Sequence, residues 1–125
     1  MRLLLDTHIL IWSLVSPHKV QDPIKRLMED GENSLFVSSI TFYEIEVKRQ
    51  IGKLSFKLDF NELLEQKFFS VMDYNHHHAF YTSELPLIHR DPFDRILIAQ
   101  SVVENMPLVT ADEVIHQYNF HFIKA

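Results

Sequence analysis

Asp91-Pro92-Phe93-Asp94-Arg95-Ile96-Leu97-Ile98-Ala99-Gln100-Ser101-Val102-Val103-Glu104, followed at once by the run around Leu108-Val109-Thr110-Ala111-Asp112, joins a helix to a short strand that ends beside an acid. Asp91 suits an N-cap and Pro92 the first helical position, where its missing N–H costs no bond. Ile96, Ala99 and Val103 recur at helical spacing and predict one apolar side for a helix over 91–104. Leu108-Val109 is short enough for a buried strand. Four more such runs occur at Leu3 to Leu5, Leu35 to Val37, Ser70 to Met72 and Phe120 to Ile123, so a five-stranded core is expected.

Helical spacing fills the gaps. Ile9 to Val15 follows the first strand, and Asp22-Pro23 opens a helix over Ile24 to Asp30 that Gly31 closes. Over Ser39 to Ile51, Tyr43, Val47 and Ile51 mark an apolar face, while Glu44 and Lys48 share the neighbouring stripe. Asn61 to Phe68 and His77 to Glu84 complete the helices. Strands alternating with helices predict right-handed βαβ units: an α/β fold with a mostly parallel five-stranded sheet covered on both faces. Sites in such folds lie at the carboxyl ends of the strands.

At 125 residues and 46% hydrophobic, the chain can bury one sizeable core, and a single domain over 1–125 is expected. Two glycines and five prolines leave helices dominant, with no repeat or low-complexity tract. Without cysteine, disulfides and thiolate zinc sites are excluded, so metal chemistry must use oxygen or imidazole. A net charge of -5 argues against a bulk polyanion binder and requires local cations for any nucleic-acid partner. Asp6 and His8 interrupt the first apolar run before it reaches signal-peptide length, and no later stretch has the length of a membrane span. A cytoplasmic protein with no membrane partner is expected.

Asp6 follows the first strand, Asp112 follows the fourth, Asp94 lies in the first turn of its helix and Glu44 lies within the helix after the second strand. Taken singly, each has a structural account. Asp6 can cap the Ile9 helix, and Asp91 and Asp94 have capping-box spacing with Asp91 free to pair with Arg95. Glu44 can pair with Lys48 on an exposed face, and Asp112 can fill a first turn after a Thr110 cap. Capping does not explain Glu44. In a parallel sheet the four acids converge on one edge, where up to four negative charges demand protons or a cation, and oxygen donors select Mg²⁺ or Mn²⁺.

Leu3-Leu4-Leu5-Asp6-Thr7-His8, Ser38-Ser39-Ile40-Thr41-Phe42-Tyr43-Glu44-Ile45, His89-Arg90-Asp91-Pro92-Phe93-Asp94-Arg95-Ile96-Leu97-Ile98-Ala99-Gln100 and Leu108-Val109-Thr110-Ala111-Asp112, in this order, resemble the motifs of the PIN-domain family, and most closely its VapC-like toxins of bacterial toxin–antitoxin pairs. The resemblance covers nearly the whole chain, and the Asp-Pro-Phe-Asp-Arg run is its most distinctive piece. It implies a PIN-like three-layer fold and a magnesium-dependent endoribonuclease, dimeric and held inactive by a cognate VapB-like antitoxin, leaving 5′-phosphate and 3′-hydroxyl ends. Carried over by position, it makes Asp6, Glu44, Asp94 and Asp112 the catalytic acids. Asp6, Asp94 and Asp112 become ligands of Mg²⁺, with Mn²⁺ as a substitute. Glu44 becomes water orienter or second-site ligand, Asp91 a supporting acid, and Thr7 and Thr110 hydroxyls that orient carboxylates or water. Phe42-Tyr43 stands where many relatives carry Trp or Leu, and Asp112 matches the family's least regular acid.

Cations that can grip an RNA backbone are Lys48, Arg49, Lys53 and Lys57 in the densest basic segment, and Arg90 and Arg95 beside the third acid motif. Ordinary solvated helix residues are the plainer account of the same charges. His76-His77-His78 cannot all face one ion from a regular helix and is expected in a solvated turn. His8 is expected packed beside the first helix and not as a ligand, and His89 at the turn before Asp91, with contact to substrate as its other reading. Trp12, Phe36, Phe42, Phe93 and Phe122 read as core. Trp12, Leu14 and the segment Ile24 to Met28 are a candidate surface for a second copy or an antitoxin helix. Two other classes use similar residues: a silent PIN-like module that binds RNA or protein, which the intact acidic quartet argues against, and a metal-dependent nuclease acting on DNA or a phosphatase. A receiver domain would need a phosphoacceptor Asp and a later Lys, and no convincing pair is present.

Overall fold

The structure, a computed structural model, describes residues Met1–Ala125. Five strands, β1 (Arg2–Leu5), β2 (Ser34–Ser38), β3 (Ser70–Met72), β4 (Leu108–Thr110) and β5 (Phe122–Lys124), form one sheet in the order β3-β2-β1-β4-β5. Every neighbouring pair is parallel. Six helices intervene: α1 (Thr7–Val15), α2 (Asp22–Glu29), α3 (Ser39–Gln50), α4 (Phe60–Glu65), α5 (His76–Tyr81) and α6 (Pro92–Val103). The expected α/β architecture is therefore present, and its sheet is wholly parallel. The last strand lies slightly later than expected, since Phe120 precedes β5 and packs beside Phe122.

Strand periodicity divides the core into two layers. Leu3, Leu5, Leu35, Val37 and Val109 point to one face, where Ile9 and Leu10 of α1, Ile24 of α2 and Ile45 of α3 cover them. Leu4 and Leu108 point to the other, against Leu97 and Ile98 of α6 with Met106, Ile115 and Tyr118. Helices thus sandwich the sheet in three layers, because a parallel strand buried on both faces must be apolar at consecutive positions. The main chain after α6 reverses through Asn105 in the left-handed region, with Met106 N–H bonded to Ser101 O at 2.9 Å, which aims Leu108 back into the sheet beside Leu4.

Chain order runs outward from β1 to β2 and β3, then crosses to β4 and β5 on the other side. The reversal falls between β1 and β4, where the connections diverge and leave a crevice at the carboxyl edge. Leu5 pairs with Val109 there, and Asp6 N–H bonds Val109 O at 3.0 Å. Asp6 and Thr110 consequently leave the sheet side by side.

Several local expectations are corrected. The buried stripe of α3 is Thr41, Glu44 and Ile45, whereas Tyr43 and Ile51 are each 61% exposed. α3 overhangs the polar end of the sheet, so its inward face carries the groups that meet the acids. In α6 every residue from Leu97 to Ser101 is buried, while Val103 is exposed, since α5, as well as the sheet, packs against this helix. Gln21, not Asp22, is the N-cap of α2, and that helix stops at Glu29 with Asp30 as C-cap, one residue before Gly31. Gly52 is the glycine whose conformation matters, ending α3 with φ +82. The histidine triplet opens α5 instead of forming a solvated turn. His78 is fully buried, closes a capping box with Asn75 and meets Glu104 at 2.8 Å.

Candidate metal centre

Each acid reaches the crevice by a different local device. Asp6 ends β1 and caps α1, its Oδ1 accepting weakly from His8 N–H at 3.4 Å. Its Oδ2 accepts from the Thr110 hydroxyl at 2.6 Å. That bond links the ends of two neighbouring strands. Glu44 projects from the inward stripe of α3. Its Oε1 accepts from Thr7 Oγ1 at 2.7 Å, and its Oε2 forms an ion pair with Lys48. Thr41, three residues before Glu44 on the same stripe, lies 3.0 Å from Thr7 Oγ1 and extends this buried network.

Asp91 caps α6 by accepting from Phe93 N–H at 2.9 Å, which sets Asp94 in the first turn one residue later. Asp112 follows β4 by one intervening residue. Thr110 Oγ1 accepts its N–H at 3.1 Å, and its own Oδ1 accepts from Val114 and Ile115 N–H at 2.8 and 3.1 Å. The turn it organises is a short 3₁₀ segment, Ile115–Gln117, in place of the expected helix start.

Ligand atoms of Glu44, Asp91 and Asp94 lie within 4.8 Å of one another, and those of His89, Asp94 and Asp112 form a second group of the same span. Asp94 belongs to both. Asp6 stands outside these groups but is close in the electrostatic sense. Asp94 is pushed from 3.8 up to about 8, by burial first and then by the charges of Asp6, Asp91, Glu44 and Asp112. Burial also raises Asp6, against the Thr110 hydroxyl and His8, with Glu44 adding to the rise. Burial acts to raise Asp112 too, but the Ile115 N–H, His89 and the Val114 N–H outweigh it and leave this carboxyl below its ordinary value. Lys48 loses hydration, yet Glu44, Asp91 and Asp94 together hold its ammonium charged.

The proposed cations fare differently. Lys48 is bound to Glu44, and Arg49 pairs with Glu46 at 2.9 Å. Arg95 does not pair with Asp91. Its guanidinium donates to Pro86 O and Thr82 O at 2.8 Å each and to the Tyr118 hydroxyl at 3.1 Å, so it pins the chain between α5 and α6 and is not free to grip a phosphate. A fork of donors matched to converging carbonyls is what separates it from a surface lysine. Lys53, Lys57 and Arg90 are exposed.

His89 was the residue least visible from sequence. Far from merely starting a turn, it donates from Nε2 to Asp112 Oδ2 at 3.2 Å and lies 2.9 Å from Asp94 Oδ2. Its only sequence signal is its place two residues before the Asp91 cap. His8 lies within α1 and is exposed, 6.2 Å from the Trp12 ring, instead of packing beside the helix. Trp12 and Phe42 pack partly buried against one core layer, Phe36 and Phe122 against the other. Phe93 instead meets Tyr43 edge-on at 5.8 Å, on the outer side of α3 near the acids.

A family profile described as "PIN domain" matches residues 3–121. No curated protein matches the chain significantly. Among solved structures, VapBC2 from Rickettsia felis bound to a promoter DNA fragment is similar with TM-score 0.72 and 18% identity, covering 99% of this chain and 98% of that one. DNA-bound VapBC from Salmonella typhimurium gives TM-score 0.67 and 16% identity over 99% and 97% of the two chains. A toxin–antitoxin complex from Klebsiella pneumoniae gives 0.57 and 19% over 88% and 86%. At these identities the likeness establishes a shared fold.

Proposed function

The chain belongs to the PIN domain family, and on that premise we propose that it is a magnesium-dependent endoribonuclease acting as the toxin of a VapBC-like toxin–antitoxin pair. The observation that carries this reading is the meeting of Asp6, Glu44, Asp94 and Asp112 at the reversal between β1 and β4, with the Asp94 carboxyl held protonated up to about 8 by burial first and then by the charges around it. Such a cluster fits a hard divalent ion, since its donors are oxygens and one imidazole, and a cation relieves the repulsion that now holds the proton.

When bound, Mg²⁺, or Mn²⁺ in its place, neutralises phosphoryl charge and makes a held water more acidic. Asp6 and Asp94 are the principal ligands in this scheme, and Asp112 a further or water-mediated one. Both Glu44 oxygens already accept from Thr7 and Lys48, which fixes the carboxylate and leaves its remaining lone pairs to orient a water. Thr110 fixes Asp6 in the same way, and Asp91 adds negative charge beside Asp94 while capping its helix. Lys53, Lys57 and Arg90 are the exposed cations available to an RNA backbone.

The antitoxin partner rests on the fold shared with complexes described as toxin–antitoxin pairs. A groove of about 570 Å³, lined in part by apolar side chains such as Leu14, Val20 and Phe68 and in part by Lys25, Glu29 and Gln66, gives such a partner a seat. Homodimerisation and a cytoplasmic location complete the proposal; no helix is long and apolar enough to cross a membrane. Purified protein is incubated with total RNA, with and without Mg²⁺, beside Asp94→Asn and with single-stranded DNA in parallel. Metal-dependent RNA fragments lost in the variant are expected. Binding without cleavage would make the chain a silent module, and cleavage of DNA alone would reassign its substrate.

A further inference from the structure

His89 sits among the carboxylates without belonging to the acidic set, and its ring is held at both nitrogens. Nδ1 accepts the Asp91 N–H at 3.1 Å, so the hydrogen of the neutral imidazole resides on Nε2. That hydrogen is donated to Asp112 Oδ2, beside Asp94 Oδ2. Asp94 rides on α6, whereas Asp112 belongs to the loop after β4. His89 is the one side chain that spans the two.

The main chain that carries the ring is equally constrained. The Tyr118 hydroxyl accepts from His89 N–H at 2.8 Å and from Ile88 N–H at 3.2 Å, and it accepts a third bond from Arg95. Tyr118 is 4% exposed. Its ring packs with Leu97 and Ile98 of α6. Asp91, whose N–H holds the His89 ring, caps that same helix, and Arg95, which holds the Tyr118 hydroxyl, continues it. The imidazole is therefore fixed in the frame that also fixes Asp94, and it draws Asp112 into that frame.

Without the ring, Asp112 has a reason to leave. Its carboxylate is partly exposed, and Oδ1 alone is tied to its own loop through Val114 and Ile115, so His89 is the side chain that holds Oδ2. With that partner gone, Oδ2 would turn toward water to recover a hydrogen bond. We propose that His89 is a positioning residue of the carboxylate pocket, holding Asp112 against Asp94 so that both carboxylates face one divalent ion. This rests on the metal reading above.

The test is Mn²⁺ binding by calorimetry on the purified chain at one neutral pH, in wild type, His89→Ala, His89→Gln, Asp112→Asn and the His89→Ala/Asp112→Asn pair. His89→Ala is expected to weaken Mn²⁺ binding about 10- to 100-fold, the range for losing a group that orients a ligand. Gln offers an amide donor near the Nε2 position and should restore affinity to within about threefold of wild type. In the Asp112→Asn background, His89→Ala should cost at most about twofold, because His89 acts through Asp112. Cleavage by His89→Ala should recover at saturating Mn²⁺, shifting the half-saturating metal concentration and sparing the limiting rate. Tyr118→Phe, which keeps the core ring and loses only the hydroxyl, should weaken Mn²⁺ in the same direction and serves if His89→Ala does not fold. Equal binding by wild type and His89→Ala, tighter binding by the variant, or a full cost in the Asp112→Asn background overturns the inference. Wild type that binds no Mn²⁺ sinks the metal reading itself, a distinguishable result that takes this inference with it.

Discussion

Asp94→Asn is expected to stabilise the metal-free protein at neutral pH and to remove its response to divalent ions. Burial and the charges of Asp6, Asp91, Glu44 and Asp112 push the Asp94 carboxyl from 3.8 up to about 8. The folded state thus keeps a proton that the unfolded chain releases near the ordinary value. Stability from that proton is complete below about pH 4 and is lost as pH rises through about 8. The slope inside the window is about 1.4 kcal/mol per pH unit. With about 2.1 cal/mol/K of unfolding entropy per residue, a 125-residue chain moves its Tm by about 5 °C per pH unit. Asn has no such proton. From about pH 5.5 to about pH 7.5 in EDTA, the wild type should therefore fall by about 10 °C relative to the variant in scanning calorimetry. Asp6 is raised as well, so the proton belongs to the cluster and the difference between the two profiles is the quantity to read. Mg²⁺ at about 100 times its Kd should return about 2.7 kcal/mol to the wild type and little to the variant. Parallel Tm profiles for the two proteins across this range would refute the electrostatic argument.

Reversing charge at Lys53 and Lys57 should lower the slope of log K against log salt for single-stranded RNA by about 1.4, from about 0.7 per lost phosphate contact, as measured by fluorescence anisotropy. Arg95→Met should leave that slope unchanged but cost about 1.5–3 kcal/mol in urea unfolding, because it strips a partly buried fork from Thr82, Pro86 and Tyr118. Thr110→Val removes the hydroxyl that fixes Asp6 Oδ2; cleavage should fall at least about tenfold while circular dichroism is preserved.

The alternation of short apolar runs with helical segments was enough to foresee the parallel three-layer sheet, since a strand buried on both faces has few other sequences open to it. Helix faces were less legible. Tyr43, Val47 and Ile51 look like the core side of α3 because apolar spacing is the usual signal, but this helix covers a polar crevice, and its buried stripe is Thr41, Glu44 and Ile45. Position along the sheet decided the face, and local sequence does not carry position. Cations followed the same rule. Arg95 looks available beside an acidic motif, and only the path of the chain from Thr82 to Pro86 supplies the carbonyls that hold it. His89 was hidden for a related reason: Asp94 is near it in sequence, but Asp112 arrives from the far side of β4.

The separate structural accounts of the acids and their convergence turn out to be one arrangement. In an all-parallel sheet every following helix starts at the carboxyl edge, so N-caps and first-turn acids collect where helix N-termini present unpaired N–H groups and positive dipole ends. Asp6 caps α1, Asp91 caps α6, Asp94 fills the first turn of α6, and Asp112 gathers the N–H groups of Val114 and Ile115. Capping therefore does not compete with clustering; it is the means by which like charges are brought together. Glu44, deep within its helix, lacks that support and is held instead by Thr7 and Lys48. The compensation is sufficient for Asp112, which stays below its ordinary value, and insufficient for Asp94, which does not. That imbalance places the unmet demand for positive charge at Asp94, the one carboxylate shared by both tight groups. A divalent ion bound there would take the place of that proton, so the burial and the charges that raise the Asp94 carboxyl are what such an ion would offset.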